Sequence, residues 1–267
     1  MAYTKIRYQV TDGVGLVELT DPPANTYSYE MMRELDDAIL AARMDAAVHV
    51  IVIAGAGEKF FCAGANIGML KDADPGFKYY FCLHANETMA RLEQTPKLVI
   101  AALNGHTVGG GLEVAMAADL RIARQGAGKI GLPEVALGVL PGTGGTQRLA
   151  RLVGKARAME LMVSGTLMTF DEAKAIGLVN QVWDDADLGG RPFAEAVLDY
   201  ARQFTPPHRA SKAVGHIKRA VQSGLEMSFT DSLALERELQ QRLFESDDAG
   251  EGIRANLEKR RPAFTGK

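Results

Sequence analysis

Apolar and polar positions alternate at Ile6, Tyr8 and Val10, break at Asp12-Gly13 and resume through residues 14–19, which predicts a β-hairpin at the start of the chain. The period then changes. Met31, Leu35 and Ile39 recur four residues apart behind Ser28, whose hydroxyl can accept from a free N–H of the first turn, and they predict a capped amphipathic helix. Apolar runs at 48–53, 98–103, 120–123 and 178–183 read as strands separated by loops and helical stretches, so the expected class is α/β with largely parallel pairing. Thr169 and Glu172 have capping-box spacing ahead of a helix that stops at Gly177. Beyond Pro206-Pro207 no convincing strand pattern remains, and Leu233, Leu235, Leu239 and Leu243 lie on an amphipathic segment. The expected organisation is therefore a core over residues 1–200 and a helical region over 201–267, whose apolar face must pack on the core or on another subunit.

Three glycines, Gly109, Gly110 and Gly111, stand between the apolar run 98–103 and the apolar segment 114–120, with Glu113 two residues on. Glycine lets a ligand reach the backbone. Free N–H groups where a strand turns into a helix, helped by the helix dipole, can stabilise an anion that forms only during a reaction. Phe60-Phe61-Cys62-Ala63-Gly64-Ala65-Asn66-Ile67 offers small residues after the strand 48–53, so two loops could aim two donors at one oxygen. Gly131-Leu132-Pro133-Glu134-Val135, followed by Leu140-Pro141-Gly142-Thr143-Gly144-Gly145-Thr146-Gln147-Arg148, adds a second carboxylate and another glycine-rich helix start. A single cluster of this kind reads as a tight turn, and glutamates in first turns are favoured by the dipole alone. Three clusters, two of them beside a carboxylate that is costly to bury without a use, favour a site.

Composition narrows the chemistry. The chain has 267 residues, 47% hydrophobic and 24% charged, and a net charge of -3, which is ordinary for a globular protein and gives no general attraction to nucleic acid or anionic membrane. Cys62 and Cys82 cannot build a disulfide framework, the N-terminus does not resemble a leader, and no apolar run approaches the roughly 20 residues of a membrane span. The expectation is a cytoplasmic protein. CxxC pairs, HExxH, GxxxxGK[ST] and a strand-following GxGxxG are all missing, so neither a metal site nor nucleotide hydrolysis is expected. His106 has no nucleophile as partner and reads as a pocket or core residue, and Cys62 reads as packing.

At these residues the chain resembles the crotonase superfamily, the enoyl-CoA hydratases and isomerases, from the first hairpin to Phe264. Ala63-Gly64-Ala65-Asn66-Ile67 resembles that family's first oxyanion-hole loop, which makes the Ala65 N–H one donor. Gly109-Gly110-Gly111 resembles the second, with Gly110 as the other donor. The spacing to Glu113 and to Pro133-Glu134 is similar to the hydratase branch, where both glutamates are catalytic, and Gly142 corresponds to a helix start facing the water and the acyl carbon. By the same resemblance Ala24, Ala63, Ala65, Asn66 and Ile67 would line the coenzyme A, and Lys259 would match a base on its phosphates. Asn66 stands where many members have Asp.

The resemblance implies a crotonase-like core of repeated ββα units and a C-terminal helical trimerisation region. It also implies a homotrimer or a dimer of trimers, and no cofactor apart from the coenzyme A carried by the acyl-CoA substrate. The implied reaction is reversible addition of water to a trans-2-enoyl-CoA, with Glu113 activating the water and Glu134 delivering a proton to C2. A Δ3,Δ2-enoyl-CoA isomerase needs only one carboxylate, so retention of two favours the hydratase. An RNA-binding branch uses a lysine-rich helix, whereas residues 30–44 here hold only Arg33 and Arg43 as bases, and a scaffold without activity would have little use for both acids. Acyl-chain preference depends on how Met69, Leu70 and residues 73–82 fold over the pocket.

Overall fold

A computed structural model describes residues 3–267; Met1 and Ala2, the start of the stretch read as lacking a leader, lie outside the described residues. Among the described residues nine strands form two sheets: β1 (Ile6–Thr11), β2 (Val14–Leu19), β3 (Val50–Gly55), β4 (Phe60–Cys62), β5 (Leu98–Leu103), β6 (His106–Val108), β7 (Leu120–Arg124), β8 (Ile130–Gly131) and β9 (Gln181–Trp183). The larger sheet has the order β1-β2-β3-β5-β7-β9 and the smaller one β4-β6-β8. Only the opening hairpin β1–β2 is antiparallel; every other named pair is parallel. The chain alternates between the sheets, β3 to β4, β5 to β6 and β7 to β8, with helical structure after each pair, which is the repeated ββα step.

The central strands β3 and β5 of the larger sheet are apolar on both faces because both faces are covered. Ile51, Ile53, Val99, Ala101 and Leu103 point toward one core with Met31, Leu35, Phe81 and Leu112. Val50, Val52, Ala54, Ile100 and Ala102 point to the other, against Phe193 and Val197 of the helix Phe193–Arg202. Ser28 caps the helix Tyr29–Met44 by accepting from Met31 N–H. Thr169 and Glu172 form both halves of their capping box, and the helix Phe170–Ala175 is closed by Gly177 at φ +82°.

Three readings need correction. The run 48–53 starts pairing only at Val50, since Val48 N–H closes a turn on Asp45 O at 3.2 Å and His49 N–H reaches Gly13 O at 2.7 Å. The run 178–183 is a strand only from Gln181, with Asn180 N–H leading in on Arg121 O of β7 at 3.0 Å, because the N–H groups of Leu178 and Val179 are spent on Ala173 O. The strand 98–103 does not lead straight into the three glycines. Asn104-Gly105 carries the chain across to the smaller sheet, and β6 comes first.

The segment 73–82 proves to be the beginning of the helix Pro75–Gln94, started by Asp74, which accepts from Phe77 N–H at 2.8 Å, and by a proline in the first turn. After β9 the described residues hold helices but no further strand. Helices Ser211–Gly224, Phe229–Phe244 and Asp247–Leu257 end the chain, and residues 258–267 fold back so that Asp248 accepts from Thr265 and Gly266 N–H at 2.7 and 2.8 Å. No helix among the described residues is long and apolar enough to cross a membrane.

Candidate active site

The smaller sheet delivers the two glycine loops to one place. After β4, Ala63 N–H donates to Ala24 O, Tyr27 N–H to Gly64 O and Asn66 N–H to Tyr27 O, each at 3.0 Å. This pairing holds the residues on either side of Ala65 and leaves the Ala65 N–H without an acceptor among the described residues. After β6, Gly109 at φ +56° turns the chain into the helix Gly110–Met116, whose first N–H, that of Gly110, is likewise free. Gly64, at φ +92°, brings the loops together: a Cβ there would stand 3.1 Å from Gly110 N and 3.0 Å from Val108 O. At Gly110 a Cβ would collide with the Tyr27 ring, and at Gly111 with Cys62 O, so neither position tolerates a side chain. Asn66 caps the helix Ile67–Asp72 through Met69 N–H at 3.0 Å.

Glu113 is 2% exposed and accepts three hydrogen bonds. Its Oε1 takes Thr143 N–H at 2.8 Å and Gly145 N–H at 2.7 Å, and its Oε2 contacts Thr143 Oγ1. These donors come from the turn that opens the helix Gly145–Val153, where Gly145 has no room for a Cβ beside Pro141 and Glu113 Oε1. A buried carboxylate is thereby paired with the positive end of a helix.

Glu134 has the opposite surroundings. It starts the short 3-10 helix Glu134–Leu137, and its Oε1 lies against Gly109. Its Oε2 is buried with no hydrogen-bond partner among the described residues. Burial pushes its pKa from 4.5 up to about 7; its own backbone N–H opposes the rise, the Glu113 charge adds to it and Lys78 opposes it. Glu113 N–H also bonds Gly109 O at 3.1 Å, so both acids stand at the turn that carries the Gly110 donor.

The remaining candidates divide. Gly142 lies in the same turn as Thr143, with Cys82 Sγ 3.3 Å from where its Cβ would be. Ala24, Ala63 and Ile67 belong to the first loop and its flanks, and Ile67 is exposed. Lys259 is separate: exposed, at φ +54°, just past the helix Asp247–Leu257, it is joined to these loops by no hydrogen bond or ion pair among the described residues. His106 Nδ1 accepts Lys129 N–H at 3.1 Å, and Cys62 is fully buried with its thiol pushed up to about 12 by burial. No three potential metal ligands gather among the described residues. A cavity of about 500 Å³ lies beyond the ends of β3, β5 and β7, lined by Ala54, Asn104, Arg124, Arg191 and Phe193 among others, and it includes none of the candidates.

Two contributors escape the sequence reading. Thr143 lies in a stretch singled out for its glycines alone. Tyr27 precedes a helix cap with no polar signal of its own, yet its hydroxyl meets Thr143 Oγ1 at 3.0 Å.

Comparison with known proteins agrees with the geometry. Residues 9–267 match the model of the enoyl-CoA hydratase/isomerase family. The chain is 36% identical to a short-chain-enoyl-CoA hydratase of Clostridium acetobutylicum, covering 93% of this chain and 92% of that one. It is 34% identical to a crotonyl-CoA hydratase of Syntrophomonas wolfei over 100% of both. It superposes on the crystal structure of an enoyl-CoA hydratase from Geobacillus kaustophilus with a TM-score of 0.94 and 44% identity, covering 100% of this chain and 98% of the other.

Proposed function

The chain belongs to the enoyl-CoA hydratase/isomerase family, and on that premise we propose that it adds water reversibly across the 2,3-double bond of a trans-2-enoyl-CoA to give a 3-hydroxyacyl-CoA. The observation that carries this reading is the contrast between two neighbouring acids. Glu113 is tied down by three donors, whereas Glu134 is shielded, unpartnered at Oε2 and raised to about 7. Two carboxyl groups whose surroundings separate their protonation suit one base and one acid. In hydration, water adds to C3 as Glu113 takes its proton. The electron pair of the double bond moves onto the thioester oxygen, and Glu134 then delivers its proton to C2 as the thioester carbonyl reforms. The free N–H groups of Ala65 and Gly110 hold the oxyanion, each contributing about 3 kcal/mol to the barrier reduction.

In this reading Gly142 faces the water and the acyl carbon. Ala24, Ala63, Ala65, Asn66 and Ile67 line the coenzyme A, and Lys259 is the base that meets its phosphates. No cofactor is required. Residues 1–200 carry the chemistry, and 201–267 assemble a homotrimer or a dimer of trimers. Ile217, Leu225, Phe229, Phe244 and Leu257, all exposed in the single chain, support this assembly. A cytoplasmic location fits the two free cysteines.

The deciding experiment is loss of enoyl-thioester absorbance when purified protein meets crotonyl-CoA, repeated with longer and branched enoyl-CoAs. Rapid loss that Glu134→Gln abolishes supports the hydratase. No loss with crotonyl-CoA, combined with appearance of that absorbance from a 3-enoyl-CoA, would replace it with an isomerase.

A further inference from the structure

Tyr27 touches both donor loops and the turn that holds Glu113 without taking part in the proton transfers above. Its backbone clamps the first loop on both sides of Ala65, through Gly64 O and Asn66 N–H, each at 3.0 Å. Its ring lies on Gly110. Its hydroxyl meets Thr143 Oγ1 at 3.0 Å, and Thr143 Oγ1 contacts Glu113 Oε2.

The direction of this chain follows by elimination. A threonine hydroxyl has one proton, and an ionised carboxylate has none. Thr143 therefore gives its proton to Glu113 Oε2, and the Tyr27 phenol must supply the proton of the other contact. The reverse orientation is closed, because Tyr27 is 3% exposed and its hydroxyl has no other partner among the described residues. Burial, with the Glu113 charge in addition, raises the Tyr27 pKa well above the ordinary phenol value, so the donor keeps its proton at neutral pH. A carboxylate offers about four lone-pair directions. Two at Oε1 are occupied by the Thr143 and Gly145 N–H groups and one at Oε2 by the Thr143 hydroxyl, which leaves one, on Oε2.

We propose that Tyr27 is a positioning residue: with Oε1 filled by the two backbone N–H groups, it orients the Thr143 hydroxyl on Oε2 and so decides which Oε2 lone pair stays open to the attacking water. The reacting water rests on the hydratase reading, but the hydrogen-bond chain does not. Tyr27→Phe keeps the ring on Gly110 and the backbone clamp, and removes only the donor that orients Thr143.

In the intact protein, kcat for crotonyl-CoA hydration should fall about tenfold in Tyr27→Phe while KM stays within about twofold, since the hydrogen bond that orients Thr143 on Glu113 is lost without loss of substrate contacts. Thr143→Val should fall at least as far and Thr143→Ser should retain activity. Adding Tyr27→Phe to Thr143→Val should cost nothing further, because both act through one hydroxyl. An unchanged kcat in Tyr27→Phe, equal activity of the Ser and Val variants, or losses that multiply in the double variant would each overturn the proposal.

A second readout needs no turnover. The carboxylate stretching band should shift in the infrared difference spectrum between Tyr27→Phe and wild type, and that shift should vanish when the same difference is taken in a Glu113→Gln background. A shifted band in a wild type inert toward crotonyl-CoA would sink the hydratase reading and leave the relay standing; an unshifted band would refute the relay in either case.

Discussion

Replacing Glu134 with glutamine is expected to remove activity and yet stabilise the fold, with the gain confined to neutral and alkaline pH. Both effects have one origin, a carboxyl group whose Oε2 is buried without a partner and whose pKa burial lifts from 4.5 to about 7. Below about 4.5 the group is neutral in the folded and unfolded chains alike, so its protonation does not affect stability. Between 4.5 and about 7 the unfolded chain gives up this proton more readily than the folded one. Stability held at low pH is therefore lost as the pH rises through the folded value. At 1.36 kcal/mol per pH unit the full rise corresponds to about 3.4 kcal/mol, and solvent at the open edge of the side chain screens this to about 1–2 kcal/mol. Glutamine cannot ionise and does not lose it. Thermal unfolding of both proteins at pH 5.0, 6.0, 7.0 and 8.5 reads the difference, with each kcal/mol moving the midpoint by about 2–4 °C. The variant's advantage should open between pH 5 and 7 and level off above; any offset from the amide itself does not vary with pH. A difference that is constant, or that widens toward acid, would refute the account of this carboxyl. Hydration should meanwhile fall by about 10²–10⁴-fold, and the wild-type hydration rate should decline as the pH rises through about 7 and the proton donor is lost.

Gly110→Ala should lower the crotonyl-CoA hydration rate by about 10²-fold or more, because the new methyl drives into the Tyr27 ring and displaces the donor; a near wild-type rate would place the oxyanion elsewhere. Lys259→Ala should raise KM for crotonyl-CoA by about tenfold while leaving crotonyl-pantetheine, which lacks the nucleotide phosphates, unaffected. Equal changes with both substrates would separate Lys259 from those phosphates. Phe229→Glu, which places a charge on the exposed apolar face of its helix, should reduce the mass seen by sedimentation velocity to that of a single chain, and an unchanged mass would assign assembly to another surface.

Much of the fold is written in short stretches of chain. The hairpin at Asp12-Gly13, the Ser28 cap and the Thr169–Glu172 box rest on neighbours within a few residues, and the structure holds all three. The glycines and both glutamates are likewise visible as residue types. Other elements are not local. An all-apolar run does not reveal which face each side chain takes when both faces of a sheet are covered, and nothing in the run 98–103 announces that the chain then crosses to a second sheet. The helix Pro75–Gln94 buries Phe81, Ala85, Thr88, Met89 and Leu92 along one stripe, but Tyr79, Tyr80 and Leu83 stand exposed on its other faces and blur the periodic signal.

Which acid is clamped and which is left alone lies further still from the reach of the sequence. Glu113 finds its donors at Thr143 and Gly145, 30 and 32 residues away, and Thr143 meets Tyr27 across 116 residues. Glu134 gains no such partner for its Oε2 among the described residues. The loops that carry the site residues and the α/β succession are legible along the chain, since each depends on backbone preference and hydrophobic period. The division of roles between the two glutamates was decided only by tertiary structure, because a proton's affinity for a carboxylate depends on the donors and the solvent around it, and folding alone brings those together.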